Sequence, residues 1–110
     1  MIIVKKPEDA TNVINYEVDS KSIDFEDGEL VINLKKKERD DAVHLDICKD
    51  YTGGLIMGTG SSAREYVAQI EIPPREYVEV EDEEEESGYR RDPVPFDIDR
   101  CTLTLWEQED

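Results

Sequence analysis

This sequence has few of the residue types from which most catalytic and metal sites are built. Its 110 residues include one histidine, His44, and two cysteines, Cys48 and Cys101. These three side chains cannot by themselves supply the four ligands of a structural zinc site. Neither cysteine lies in a catalytic signature, and their wide separation favours two reduced thiols over a disulfide. We therefore predict a protein that is not an enzyme and that needs no cofactor or metal.

Long hydrophobic runs are also absent. The apolar residues at positions 2–4 are followed at once by two lysines and a proline. This run is too short for a signal peptide or a membrane span. The expectation is a cytoplasmic protein that has no membrane partner.

Positive charge is scarce, since 13 basic residues face 29 acidic ones and the formal net charge is −16. Residues 1–55 contribute −5 and residues 56–110 contribute −11, so the acidity is spread but heavier in the second half. Such a charge repels nucleic acid and speeds encounter with basic proteins or cations. We expect a protein partner or self-association, with no direct nucleic-acid binding. An acidic surface that only keeps the protein soluble is the commoner explanation.

What the chain does contain is a series of short segments in which apolar and polar residues alternate. This period of two is typical of half-buried strands, and no segment shows a long helical period. About seven or eight strands separated by turn residues favour a single all-β domain over residues 1–110, a small antiparallel β-sandwich or barrel. The predicted core consists of the inward positions of these segments: Ile14, Tyr16, Val18, Ile23, Leu30, Ile32, Leu34, Val43, Leu45, Ile47, Ile70, Leu103 and Leu105.

Two local patterns make more specific predictions. Asp27-Gly28 between alternating segments indicates a hairpin with a two-residue type I′ turn, which needs positive φ at both central residues. Residues 64–72 admit two interpretations, because Ser62 and Glu65 have the spacing of a helix capping box while the apolar residues follow a strand period. We favour the strand, since its end runs directly into two prolines.

The most conspicuous segment is a run of six adjacent carboxylates: Glu81, Asp82, Glu83, Glu84, Glu85 and Glu86. Such a run cannot be buried without a very large desolvation cost, so it belongs on a solvated loop or against a basic partner. We predict that residues 81–95 form a long, mobile acidic loop, of which residues 81–92 are dispensable for folding. The six acids are the predicted partner-binding residues.

A glycine cluster at residues 53–60 resembles the spacing of a phosphate-binding loop. The lysine and hydroxyl residue that such a loop needs are replaced by Thr59 and Gly60. Gly53, Gly54, Gly58 and Gly60 are therefore predicted to form a turning loop rather than a phosphate site.

One further cluster is suggested by strand alternation, which places His44, Asp46 and Cys48 on the same face of a strand. A solvent-facing polar strand surface is the simpler interpretation. Paired carboxylates are too numerous in this chain for any pair to indicate general acid or base catalysis.

Three hypotheses about function remain. The first is a non-catalytic protein-interaction or self-assembly module, for example a small component of a larger particle. The second is an acidic nucleic-acid mimic that blocks a basic protein. The third is a small-ligand-binding β-barrel whose glycine loop gates a pocket.

Overall fold

The computed structural model describes residues 1–61 and 63–108. Within these ranges the chain is mostly β-strand, so the prediction of an all-β fold is confirmed. The strands are β1 Ile2–Lys6, β2 Tyr16–Val18, β3 Ser22–Phe25, β4 Leu30–Asn33, β5 Val43–Asp50, β6 Leu55–Met57, β7 Ala63–Ile72, β8 Tyr77–Glu81, β9 Tyr89–Pro93 and β10 Thr102–Trp106. One helical turn, α1 Leu34–Lys37, follows β4, and a 3-10 turn at Ile98–Arg100 precedes β10.

The larger sheet has five strands in the order β1-β10-β7-β5-β6. All its pairs are antiparallel except β1 with β10, which run parallel from Ile2 opposite Thr102 to Lys6 opposite Trp106. The antiparallel prediction missed this pair. A short turn makes the two strands that it joins run antiparallel. No short turn connects β1 to β10, so the sequence does not indicate their relative direction.

The smaller sheet has three strands in the order β2-β3-β4, and it shares one hydrophobic core with the larger sheet. The two sheets do not close into a barrel, so the architecture is the sandwich alternative. The buried residues joining the two layers include Phe25 and Ile32 from the small sheet and Ile70 and Leu103 from the large one.

Most of the predicted core is confirmed. Eight of the thirteen positions are buried: Ile14, Ile23, Ile32, Leu34, Ile47, Ile70, Leu103 and Leu105. Four others pack against this core while partly buried: Tyr16, Leu30, Val43 and Leu45. The prediction that Val18 is buried was wrong. Its side chain is 37% exposed at the end of the edge strand β2.

The predicted hairpin exists, but its turn differs from type I′. Phe25 pairs with Leu30, so four residues form the connection, and Glu26, Asp27 and Gly28 all have positive φ. The Asp24 carboxylate accepts a hydrogen bond from Gly28 N at 2.6 Å, which holds the wider loop together. Glu26 and Asp27 adopt a left-handed backbone conformation that non-glycine residues rarely adopt. Hydrogen bonds that close the loop, such as the one from Gly28 N, hold them in it.

The segment at residues 63–72 is a strand, as favoured, and it ends at two prolines that cannot continue the sheet. Ser62, on which the capping-box alternative depended, lies outside the described residues. The brief segment at Leu55–Met57 is also a strand. Leu34, expected to continue a strand, instead begins α1, because the Asn33 side chain accepts a hydrogen bond from Lys36 N at 3.1 Å.

Candidate functional site

The feature that departs most from the sandwich is a separate hairpin. Strands β8 and β9 pair with each other from Tyr77 opposite Pro93 to Glu81 opposite Tyr89, and neither strand joins another sheet. We call residues 77–93 the hairpin arm. The radius of gyration is 17.5 Å, against about 13 Å for a compact chain of 100 residues. The molecule measures 62 × 30 × 22 Å, so it is elongated.

This arm corrects the predicted loop at residues 81–95. Residues 89–93 are a strand, so the connection between strands is restricted to residues 82–88. The pairing was missed because β9 has no apolar alternation. The sequence did contain an electrostatic signal for this pairing. Arg91 of β9 lies opposite Glu79 of β8, and opposite charges at paired positions stabilise a hairpin.

The tip of the arm, residues 82–88, is closed by main-chain hydrogen bonds. Asp82 N donates to Gly88 O at 2.9 Å, and Gly88 N donates to Glu85 O at 3.0 Å. Gly88 has a φ of +83°, a left-handed conformation that favours glycine at the return into β9. The tip is therefore a hydrogen-bonded turn, and its mobility stays a prediction.

The structure brings all six predicted partner-binding acids to this tip and its approach. Asp82 is half-buried and forms a salt bridge with Arg90 at 3.4 Å. The other five, Glu81, Glu83, Glu84, Glu85 and Glu86, are exposed. Within residues 1–61 and 63–108 none of these five forms a salt bridge, so their charge is directed at solvent.

The two faces of the arm differ in chemistry. On one face Val78 is 50% exposed and Val80 is half-buried, and they lie opposite Asp92 and Arg90. On the other face the Arg91 guanidinium stacks over the Tyr77 ring, 4.7 Å from its centre. A two-stranded hairpin with this little burial is marginal by itself in water. Contact with a partner would cover Val78 and stabilise the arm.

The base of the arm is fixed to the sandwich through the segment after α1. Arg75 N donates to Arg39 O at 2.8 Å, and the Arg75 guanidinium lies 3.4 Å from the carboxylate of Glu38. Tyr77 OH donates to Asp40 at 2.5 Å. Glu38 is the one buried charged residue among those described. These bonds anchor the base of the arm to the sandwich.

The glycine cluster forms turns around the short strand β6. Gly53 and Gly58 have positive φ, whereas Gly54 and Gly60 do not. The Asp50 carboxylate accepts hydrogen bonds from Thr52 N and Gly54 N, at 2.9 and 3.0 Å. Amide groups that would bind a phosphate therefore already bind a carboxylate of the same chain, which supports the turn interpretation.

A polar network crosses the outer face of the five-stranded sheet. The two ring nitrogens of His44 contact the carboxylates of Glu71 and, at 2.6 Å, Asp46. Gln69 donates to Asp46 at 3.0 Å and accepts from Trp106 Nε1 at 3.0 Å. Thus β5, β7 and β10 are linked side by side. Both imidazole nitrogens contact carboxylates, so the network acts as a clamp across neighbouring strands.

Cys48 was expected on the same face as His44 and Asp46, but it does not join them. The ladder between β5 and β7 shifts register between Ile47 and Cys48, and Cys48 is buried. Burial raises the pKa of the Cys48 thiol, and burial likewise raises that of Cys101. Both cysteines are free thiols.

The His44 network predicts a pH-dependent stability. Hydrogen bonds to Glu71 and then Asp46 raise the pKa of His44 above its ordinary value, because the protonated ring is the form they favour. The resulting stabilisation is fully present below about pH 6.5, the ordinary pKa of imidazole, and is lost as pH rises through the higher folded-state pKa. Substituting His44→Gln should therefore cost more stability at acidic than at alkaline pH. Urea unfolding across this range measures the difference; a penalty that is equal at all pH values would contradict it.

Comparisons with protein-family models, with curated proteins and with solved structures found no match to this chain. None of the described helices is long and apolar enough to cross a membrane. Within the same ranges, no three His, Cys, Asp or Glu side chains are grouped so that they could hold a metal ion. The geometry of the arm is therefore the main guide to function.

Proposed function

We propose that this protein is a non-catalytic protein-interaction module whose hairpin arm contacts a partner with a basic surface. The observation that carries the proposal is the arm itself: a separate β-hairpin, anchored at its base, that presents Val78 and five unpaired carboxylates to solvent. Exposed elements on a rigid scaffold are where binding residues concentrate. The unpaired acids would steer the encounter, and the apolar side chain would be buried on docking.

The acidic nucleic-acid mimic is less well supported. A mimic needs carboxylates spaced over a folded surface like successive phosphates, whereas Glu83 to Glu86 are consecutive in one tight turn. The ligand-binding barrel also lacks support, because the sheets do not close. We place the protein in the cytoplasm on this proposal, where reducing conditions suit two free cysteines.

The proposal can be tested with a photocrosslinking amino acid at Val78, introduced in cells that naturally make the protein. A control places the same residue at Tyr51, which is 71% exposed but lies in the β5–β6 turn. We expect a discrete protein adduct from position 78 and none from position 51. Equal labelling from both positions, or none from position 78, would contradict an arm-led contact.

The role of charge needs a second comparison. Replacing Glu83, Glu84, Glu85 and Glu86 with Gln should reduce adduct formation at Val78 several-fold, since exposed charges act mainly on encounter. The matched control removes four exposed acids elsewhere, with E8Q, D9N, E17Q and E29Q, and should leave the adduct unchanged. If both sets of substitutions reduce adduct formation equally, the effect comes from net charge alone and the tip of the arm has no specific role.

A further inference from the structure

The open side of the sandwich contains a groove where the two sheets end next to each other. It has a volume of ≈ 300 Å³ and lies between β4 of the small sheet and β6 of the large one. Its lining residues come from β4, from α1 and the segment after it, and from β6: Leu30, Val31, Ile32, Asn33, Lys36, Lys37, Arg39 and Met57. Val31 and Met57 are 59% and 44% exposed, so part of the lining is an uncovered apolar surface.

Both strands beside the groove are edge strands. Among the described residues, β4 pairs only with β3, and β6 pairs only with β5. An edge strand carries unpaired amide and carbonyl groups and is a template for another strand. A groove between two such edges is suited to an extended segment that adds to β4 and places alternate side chains against Val31 and Met57.

The rim of the groove is basic in a molecule whose net charge is −16. Lys36 is exposed and Lys37 is half-buried, and in the described part of the chain neither forms a salt bridge. Arg39 donates from Nη1 to the carbonyls of Lys36 and Glu38, at 2.8 and 2.9 Å, which holds its guanidinium beside α1. The matching segment is therefore a strand that alternates apolar and acidic residues.

The chain itself contains such a strand. In β8, Val78 and Val80 alternate with Glu79 and Glu81, and the strand has no basic residue. β8 also has a free edge, because its only neighbour is β9. The other strand of the arm is a poor match, since Arg90 and Arg91 would face the lysines of the groove.

We propose that the groove between β4 and β6 binds strand β8 of a second copy of this chain. This inference rests on the proposed function, because it names the partner that the arm contacts. The arm begins beside the groove, where Arg75 N donates to the carbonyl of Arg39. Two copies related by a two-fold axis can therefore each lay their arm in the groove of the other, which gives a closed, self-complementary interface.

The test uses the purified full chain and measures self-association by sedimentation velocity over a range of concentrations and salt. The wild type should form a dimer that weakens as salt rises. Lys36→Glu with Lys37→Glu should weaken it at least about tenfold, because like charges facing each other across an interface cost several kcal/mol. Lys5→Glu with Lys6→Glu on β1 is the matched control, and it should leave association unchanged. Circular dichroism of each variant shows whether it is folded.

A charge swap tests the pairing of groove and arm. Glu81→Lys alone should also weaken the dimer, and combining it with Lys36→Glu and Lys37→Glu in one chain should restore part of the lost affinity. A protein that remains monomeric at every concentration, or a groove variant that dimerises like the wild type, would overturn the inference. If the chain is monomeric but the photocrosslinking amino acid at position 78 still forms an adduct with a different protein, the proposed function stands and only the inference of self-association is rejected.

Discussion

Replacing Ile32 with alanine is expected to lower the free energy of unfolding by about 2–5 kcal/mol. Ile32 is buried in β4, opposite Ile23 of β3, and belongs to the hydrophobic core. The substitution removes buried methyl and methylene groups and leaves a cavity that the rigid sheets fill only in part. Chemical denaturation at a protein concentration low enough to exclude self-association would measure the loss.

The adjacent residue supplies the control. Val31 lies on the same strand but points to the other face and is 59% exposed. Val31→Ala should change the free energy of unfolding by only about 0.5 kcal/mol, as is usual for surface positions. If the two substitutions had similar effects, the register of β4 would be wrong, because a slip of one residue exchanges its faces.

Replacing Arg75 with leucine is expected to lower the free energy of unfolding, because it leaves the buried carboxylate of Glu38 without its guanidinium. The expected loss is at the lower end of the range for buried pairs, since Arg75 itself is a third exposed and water screens the interaction. Removing both partners, with Arg75→Leu and Glu38→Met, should recover much of the loss. A double-mutant cycle measured by denaturation tests this coupling.

Arg90 is the matched control for that experiment. It also pairs with carboxylates, those of Asp82 and Asp92, but its side chain is 49% exposed and it lies in the arm. Arg90→Leu should lower the free energy of unfolding less than Arg75→Leu does, because water screens the exposed pairs of Arg90. Equal losses at the two arginines would show that the Glu38 pair does not depend on burial.

Prediction from sequence succeeded where one face of a strand is buried. The period-two pattern located most of the core, because a half-buried strand must alternate apolar and polar residues, and eight predicted positions are fully covered. It failed at Val18, which follows the pattern but is exposed at the end of an edge strand, and at β9, whose residues have no apolar alternation. It also could not show that Glu38 and Arg75 meet, since they are separated by 37 positions and only the fold joins them.

The candidate site was only partly predictable. The six adjacent acids were found because their repulsion requires solvent, and they do lie at a surface turn. The arm that carries them and the groove beside β4 arise from tertiary placement, which a run of charges does not encode. In the sequence, Lys36 and Lys37 are only part of a hydrophilic stretch. The structure places them beside two sheet edges, where they form part of the basic rim of the groove.

The parallel pairing of β1 with β10 makes completion of the large sheet depend on residues that are far apart in the chain. The two strands lie 100 positions apart, with Ile2 opposite Thr102. β10 also forms the bridge from β1 to β7. As long as β10 has not docked, β1 has no neighbouring strand in the sheet and Ile70 of β7 lacks its cross-strand neighbour Leu103. A folding intermediate without β10 therefore exposes an unpaired edge of β7, and such an edge favours aggregation.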